Sequence, residues 1–361
     1  MSIVLLTEIN TYLEEIIDEL NLNTLNDFLN EHMRMEMNVG ELLTQISVNG
    51  LGAMNKENIT RLFFDSVFYE LSIAHPIFVK ILLFGVLFSV IHRLLSSKRT
   101  YVSNMGFLLI YTTLMVLLMQ SFMLVRDIAI EGMNGILLFL QALIPTYTMT
   151  MVFTGNVVTG ALTYELVFFL IYLIEFLMKN LLSPMIHVFI LVLFLNHLFE
   201  EERVSKLAEF IEKVIALSLK LSFGAVIGLG VVQSLLTPMK DRIANNVMLS
   251  GVSSIPGIGG ALGSAGELIF SCGMLIKNSL GIIGLIFLCV IAIVPVLKMG
   301  CFWVMYHLLS VILQPVADKR LVECVSGVAR GCDLYLKIIL YSMMLFFVLI
   351  SMVTMATSFV Y

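Results

Sequence analysis

Ser250–Asn278 reads SGVSSIPGIGGALGSAGELIFSCGMLIKN, a glycine-rich insertion between long apolar runs. It holds Pro256, seven glycines between Gly251 and Gly273, and two charges, Glu267 and Lys277. Glycine loses more backbone entropy than other residues on folding, and proline has no N–H to donate, so both disfavour regular structure. Hydrocarbon offers no water to a freed backbone group. Irregular backbone at that depth survives only when buried in protein or lining a wet cavity. Within a membrane, this stretch predicts a re-entrant or broken-helix element.

Composition supplies the membrane. Hydrophobic residues make up 59% of the 361 and charged residues 13%, with mean hydropathy +0.98. Soluble domains run to roughly 45–50% apolar and about 25% charged. The expected fold class is therefore an all-α polytopic helical membrane protein, with about eight transmembrane helices plus re-entrant or broken helices. The net charge of −5 is uneven. Residues 1–75 carry 12 acids against Arg34, Lys56 and Arg61, which leaves the remainder slightly basic. No feature points to nucleic acid.

Residues 1–75 read as an acidic, amphipathic-helical N-terminal region. Ile9, Leu13, Ile16, Ile17 and Leu20 share one helical face; Leu22, Leu25, Phe28 and Leu29 mark a second helix, and Val39, Leu42, Leu43 and Ile46 a third. The region is too small for a large core of its own, so it is expected to pack on the membrane domain or on a partner. MSIVLLTEINTYLEE lacks the basic start and apolar core of a signal peptide. Insertion through the first membrane helix, or a start downstream of a leader, are the two readings.

Residues 76–127 form an expected two-span pair, Ile77–Leu95 and Val102–Val125, the second closed by Arg126-Asp127. The basic cluster Arg93–Arg99 suggests a cytoplasmic loop and places the acidic region outside. Residues 128–361 form the main membrane domain. An apolar helix, Ile136–Ile144, meets a break at Pro145 and a polar run, TYTMTMVFTGNVVTG. Spans follow at Ala161–Leu182 and Pro184–Phe199. Next comes an interfacial amphipathic helix with Val204, Leu207, Phe210, Ile211 and Val214 on one face. Further spans are expected at Leu217–Leu236, Leu280–Leu297, Met299–Leu313 and Leu336–Phe359, the last preceded by an amphipathic helix at Leu321–Cys332.

The order of elements after Ile128 occurs twice, and Arg203, Lys213, Leu217 and Lys220 match Arg320, Arg330, Leu334 and Lys337 at one offset. Repeats at 128–242 and 243–361 would each cross an odd number of times and so be inverted. Inverted repeats with broken helices near the midplane are typical of transporters. The basic residues do not decide orientation.

Charges within spans are expensive and become functional candidates. Glu175 and Lys179 are spaced to pair with each other, and Lys179 and Lys298 sit where snorkelling explains them. That leaves Glu165, Glu267 and Lys277, close to the Ile-Pro breaks at Pro145 and Pro256. They either line a polar pathway or sit at an interface with local partners. Gly257, Gly259 and Gly260 belong to the same candidate element. PGIGGALG lacks the GK[ST] ending of a phosphate loop. The histidines have no ligands at metal-binding spacing, and the five cysteines read as buried apolar thiols. No metal, cofactor or catalytic constellation is expected, and the chain reads as a non-enzyme.

One family resemblance rests on Leu143-Ile144-Pro145-Thr146-Tyr147, Ser205-Lys206-Leu207, Pro238 with Asp241-Arg242, Ile255–Leu262, Leu275-Ile276-Lys277-Asn278, Gly281 with Gly284, and Leu313–Asp318. On these residues the chain resembles the stage III sporulation protein AE family of endospore formers, over about residues 75–361. The resemblance implies a multi-pass protein of the mother-cell membrane around the engulfed forespore. It implies membership of a channel or secretion-like complex with other stage III A-operon proteins. Those include an ATPase and ring-forming subunits, which meet stage II sporulation protein Q on the forespore side. It implies a conduit- or transporter-like role; a non-conducting scaffold and an independent secondary transporter are the other readings. No catalytic residues come with the family.

Overall fold

The computed structural model describes residues 100–153, 157–198, 204–252 and 259–356, with scattered positions between 22 and 43 and between 76 and 90. Side chains are described chiefly over 105–151, 164–196, 204–231 and 274–351. Every described element is a helix. They are α1 (Phe78–Leu87), α2 (Thr100–Phe153), α3 (Val157–Glu175), a π-helical segment (Phe176–Leu182), α4 (Ser183–Leu198), α5 (Ser205–Val252), α6 (Gly259–Leu313) and α7 (Lys319–Ala356).

Among the described residues, four helical stretches are long and apolar enough to cross a membrane: Tyr111–Met151, Tyr164–Asn196, Met274–Leu313 and Lys319–Ser351. The expected count was about eight. Two pairs of expected spans, Ala161–Leu182 with Pro184–Phe199 and Leu280–Leu297 with Met299–Leu313, lie within continuous helical stretches, and parts of Ile77–Leu95 and Leu217–Leu236 lie outside the described residues. The 54 residues of α2 run through both Arg126-Asp127 and Pro145, and the 55 residues of α6 run through Lys298. Arginine forms helix well and aspartate only modestly worse, so a charge pair does not end a helix unless a cap or a turn goes with it. At 1.5 Å per residue, α2 and α6 each extend about 80 Å. The boundary of the expected repeat at 127/128 lies inside α2, and that at 242/243 lies inside α5.

The π-helical segment has a local cause. Pro184 has no N–H to return to the carbonyl four residues earlier, and its ring crowds that turn. The turn before it widens by one residue, and the Ser183 N–H bonds to the Met178 carbonyl, five residues back. α3, the π segment and α4 thereby form one continuous rod where two spans were expected.

α7 is the central helix and packs against α2, α4, α5 and α6. Its start is explicit in the sequence. α6 ends at Leu313 ahead of Pro315, and the Asp318 carboxylate accepts the Arg320 N–H at 2.9 Å as an N-cap. Cys324, Val325, Val328, Ala329, Cys332 and Tyr335 are all fully buried.

Apolar area does not drive helices together in lipid, because lipid tails are as apolar as leucine; close packing at small residues does. A β-carbon on Gly132 of α2 would stand 2.4 Å from the Pro295 ring of α6. One on Gly331 of α7 would stand 2.6 Å from Ile190 and 2.7 Å from Phe122. α1 closes the far end of α6, where Phe78 stacks edge-on to Tyr306 at 4.9 Å.

Within the 204–214 helix the packed side differs from the exposed apolar side. Ala208, Ile211, Ile215 and Leu219 are buried, whereas Leu207 and Phe210 are exposed. Ala208 permits the closer approach, so packing turns the helix away from its bulkiest side chains. On the exposed side of α5, Lys213 bonds Glu209 at 2.6 Å and holds its carboxyl below the usual carboxylate range. Leu22, Leu25, Val39 and Leu43 of the N-terminal region are buried in the same hydrophobic cluster as the long helices.

Candidate functional site

Two groups of polar side chains interrupt the apolar core, and the first contains Lys277. Its side chain is fully buried on α6, and among the described residues neither its Nζ nor the neighbouring Asn278 Oδ1 has a hydrogen-bond partner. A buried ammonium without a partner costs several kcal/mol. One turn along, Gly281 brings α6 against Thr354 of α7, and Gly284 brings it against Leu143 of α2. Thr354 accepts a hydrogen bond from the Tyr147 hydroxyl at 3.0 Å. A cavity of about 20 Å³ lies beside them, lined by Leu143, Ile144, Tyr147, Val167, Leu349 and Ile350. Its lining is apolar apart from Tyr147 and Thr148, and a water needs two to four polar partners to remain in such a space.

The fold thus gathers the surroundings of Pro145 and Lys277 at one end of the bundle, although the break expected at Pro145 is absent. Pro145 is exposed within the continuous helix α2. Two threonines of the polar run after it turn their hydroxyls back on their own helix: Thr148 donates to the Pro145 carbonyl at 2.8 Å and Thr150 to that of Tyr147 at 2.6 Å. Such local bonds satisfy threonine without opening the helix. Glu165 is exposed on α3, two residues from cavity-lining Val167. Gly259, Gly260 and Glu267 lie on the first turns of α6, in helix rather than in a re-entrant loop. Pro256 and Gly257 lie outside the described residues.

The second group runs between the α3–α4 rod and α7. Lys179 and Glu175 form the expected pair at 2.7 Å, with both side chains partly buried. Ser183 and His187 continue the same four-residue spacing. Tyr335 of α7, fully buried, meets the Ser183 hydroxyl at 2.9 Å and His187 Nδ1 at 3.2 Å. His187 Nδ1 also lies 3.0 Å from the Ser183 carbonyl, while its Nε2 is buried without a partner. Further along, the Tyr111 hydroxyl donates to the Phe194 carbonyl at 2.8 Å and contacts the Cys324 thiol at 2.9 Å. Ser121 and Tyr306 share a short hydrogen bond between α2 and α6.

Sequence reasoning passed over Ser183, Tyr335 and Ser342 because serine and tyrosine are unremarkable in apolar helices. Two spacings would have found them: the four-residue step from Glu175 to His187, and the alignment of Cys324, Tyr335 and Ser342 on one face of α7. Cys324 and Cys332 are buried as expected, and Cys289 and Cys301 are half-buried. Among the described residues, no three His, Cys, Asp or Glu side chains stand close enough to hold a metal ion.

Comparison with known proteins agrees with the family resemblance. The model of the family described as Stage III sporulation protein AE matches residues 37–357. The chain is 24% identical over 312 residues to Stage III sporulation protein AE of Bacillus subtilis (strain 168), covering 85% of this chain and 77% of that relative. No solved structure matches.

Proposed function

The chain belongs to the stage III sporulation protein AE family, and from that premise we propose that it is a conduit- or transporter-like membrane subunit of a sporulation complex joining mother cell and forespore. It works there with the other stage III A-operon proteins, an ATPase and ring-forming subunits among them, and reaches stage II sporulation protein Q through the rings. Its place is the mother-cell membrane around the engulfed forespore. It contributes no catalytic step.

Buried Lys277, on a helix able to cross the membrane, carries this reading. An amine retained in that setting is a default functional candidate, because an apolar residue would be more stable there. The test is cysteine accessibility at positions 256–278 in intact sporulating cells. Labelling of successive turns by a membrane-impermeant reagent is expected; uniform protection would remove the conduit.

A second reading, a non-conducting scaffold that anchors the ATPase and rings, draws on a different observation. Lys277 is fully buried, and the cavity lined by Leu143, Tyr147 and Leu349 measures only about 20 Å³. Under that reading, Lys277→Met leaves sporulation intact. Copurification with the ring subunits in fixed ratio, without transport by the chain alone, would separate both readings from an independent transporter.

A further inference from the structure

α5 and α7 run side by side in the same direction. The Val204 N–H bonds the Asn196 side chain at 3.0 Å, and the Tyr111 hydroxyl reaches both the Phe194 carbonyl and the Cys324 thiol. The start of α5 therefore stands close to the level of Cys324. Further along, Phe223 of α5 lies edge-on to Tyr341 of α7 at 6.2 Å. α2 keeps this direction too, with Tyr111 beside Cys324 and Tyr147 beside Thr354. An inverted repeat would set the charged stretches 206–220 and 319–337 on opposite faces of the membrane. Packing sets both at one end of the bundle.

That end is basic. Lys206, Lys213 and Lys220 of α5 are exposed and follow one another at seven-residue steps, two helical turns apart and so on one face. α7 adds Lys319, Arg320, Arg330 and Lys337. Beyond that level the same helices lose their charges: residues 221–239 of α5, 338–356 of α7 and 132–153 of α2 contain none. Towards the opposite end the basic residues of these helices and of α6 are Lys240, Arg242 and buried Lys277. Membrane proteins keep lysine and arginine on the cytoplasmic side, and aspartate and glutamate weigh little in that bias. The pairing of Lys213 with Glu209 and of Lys337 with Asp333 therefore does not cancel it. The cytoplasmic leaflet is itself anionic and attracts basic side chains beside a membrane helix.

We propose that this basic end is the cytoplasmic surface of the protein, held there by the anionic phospholipid headgroups of the cytoplasmic leaflet. The end that carries Lys277, Tyr147 and Thr354 faces the opposite side. This orientation is independent of whether the chain forms a conduit.

The test uses the full chain produced in vegetative cells, whose protoplasts leave the outer membrane face open to reagents. Single cysteines are placed at 213 and 319 on the basic end, where the native side chains are 74% and 86% exposed. Others are placed at 157, where α3 begins, and at 356, where α7 ends. The wild-type chain supplies the blank for its own cysteines. A membrane-impermeant maleimide is expected to label 157 and 356 in intact protoplasts, and 213 and 319 only after lysis. Labelling of 213 or 319 before lysis, or of neither 157 nor 356, overturns the orientation. For the headgroups, the purified chain is melted in mixed micelles of phosphatidylglycerol or of phosphatidylcholine at low salt. The anionic lipid should raise the melting temperature, and the raise should vanish when Lys206, Lys213 and Lys220 are all replaced by glutamine. Equal melting in the two lipids, or an undiminished raise in the triple variant, overturns the headgroup contact.

Discussion

At the scale of single residues, fit at helix crossings and polar satisfaction decide the outcome. Gly132 meets the rigid Pro295 ring, so Gly132→Ala should destabilise by about 1–3 kcal/mol through overpacking. Gly224 has nothing within 4 Å of its would-be β-carbon. Gly224→Ala should instead be neutral or stabilise by up to about 1 kcal/mol, from helix propensity. Thermal unfolding of the two variants in one detergent checks the pair; equal shifts would contradict the α2–α6 contact. Lys277→Met replaces an unpartnered buried amine with an apolar chain of similar length, and a gain of roughly 1–4 kcal/mol is expected. Under the conduit reading, that gain comes with a loss of sporulation, scored as heat-resistant spores. A loss of stability would mean that Lys277 is paired.

At the scale of elements, the rod of α3, the π segment and α4 shows how one proline shapes a helix without ending it. Pro184→Ala lets a regular turn form. Removing the extra residue rotates Glu175 and Lys179 by about 100° relative to Ser183 and His187. Despite better helix propensity, the variant should melt lower, because one half of the rod must leave its packing against α7. The same rotation should abolish crosslinking between cysteines at positions 179 and 342, which line one cavity in the wild type. Retained crosslinking at the wild-type rate would show that the π segment persists without its proline.

At the scale of the whole molecule, long helices gather around α7, and four side chains of the N-terminal region join their core. Fully burying a leucine or valine is worth about 1.5–3 kcal/mol. Removing residues 1–45 should therefore lower the melting temperature of the membrane domain, and an unchanged transition would place those helices elsewhere. Much of this was legible in sequence. Composition and apolar runs established an all-helical membrane protein. Leu321–Cys332 read as an amphipathic helix within what became α7, the spacing of Glu175 and Lys179 gave their ion pair, and Leu275–Asn278 and Leu313–Asp318 carried the family. These are local properties, set by hydropathy, proline chemistry and four-residue spacing. Whether Pro145 breaks its helix, which side of α5 is buried, and which serines and tyrosines meet were not legible. Each depends on a partner far along the chain: Gly132 on Pro295, Tyr335 on Ser183 and His187. The glycine-rich stretch divides the same way. Its strangeness among apolar runs was visible at once, but that Gly259 begins a 55-residue helix and that Lys277 is sealed from solvent were decided by tertiary packing, because burial is a property of neighbours and not of a residue.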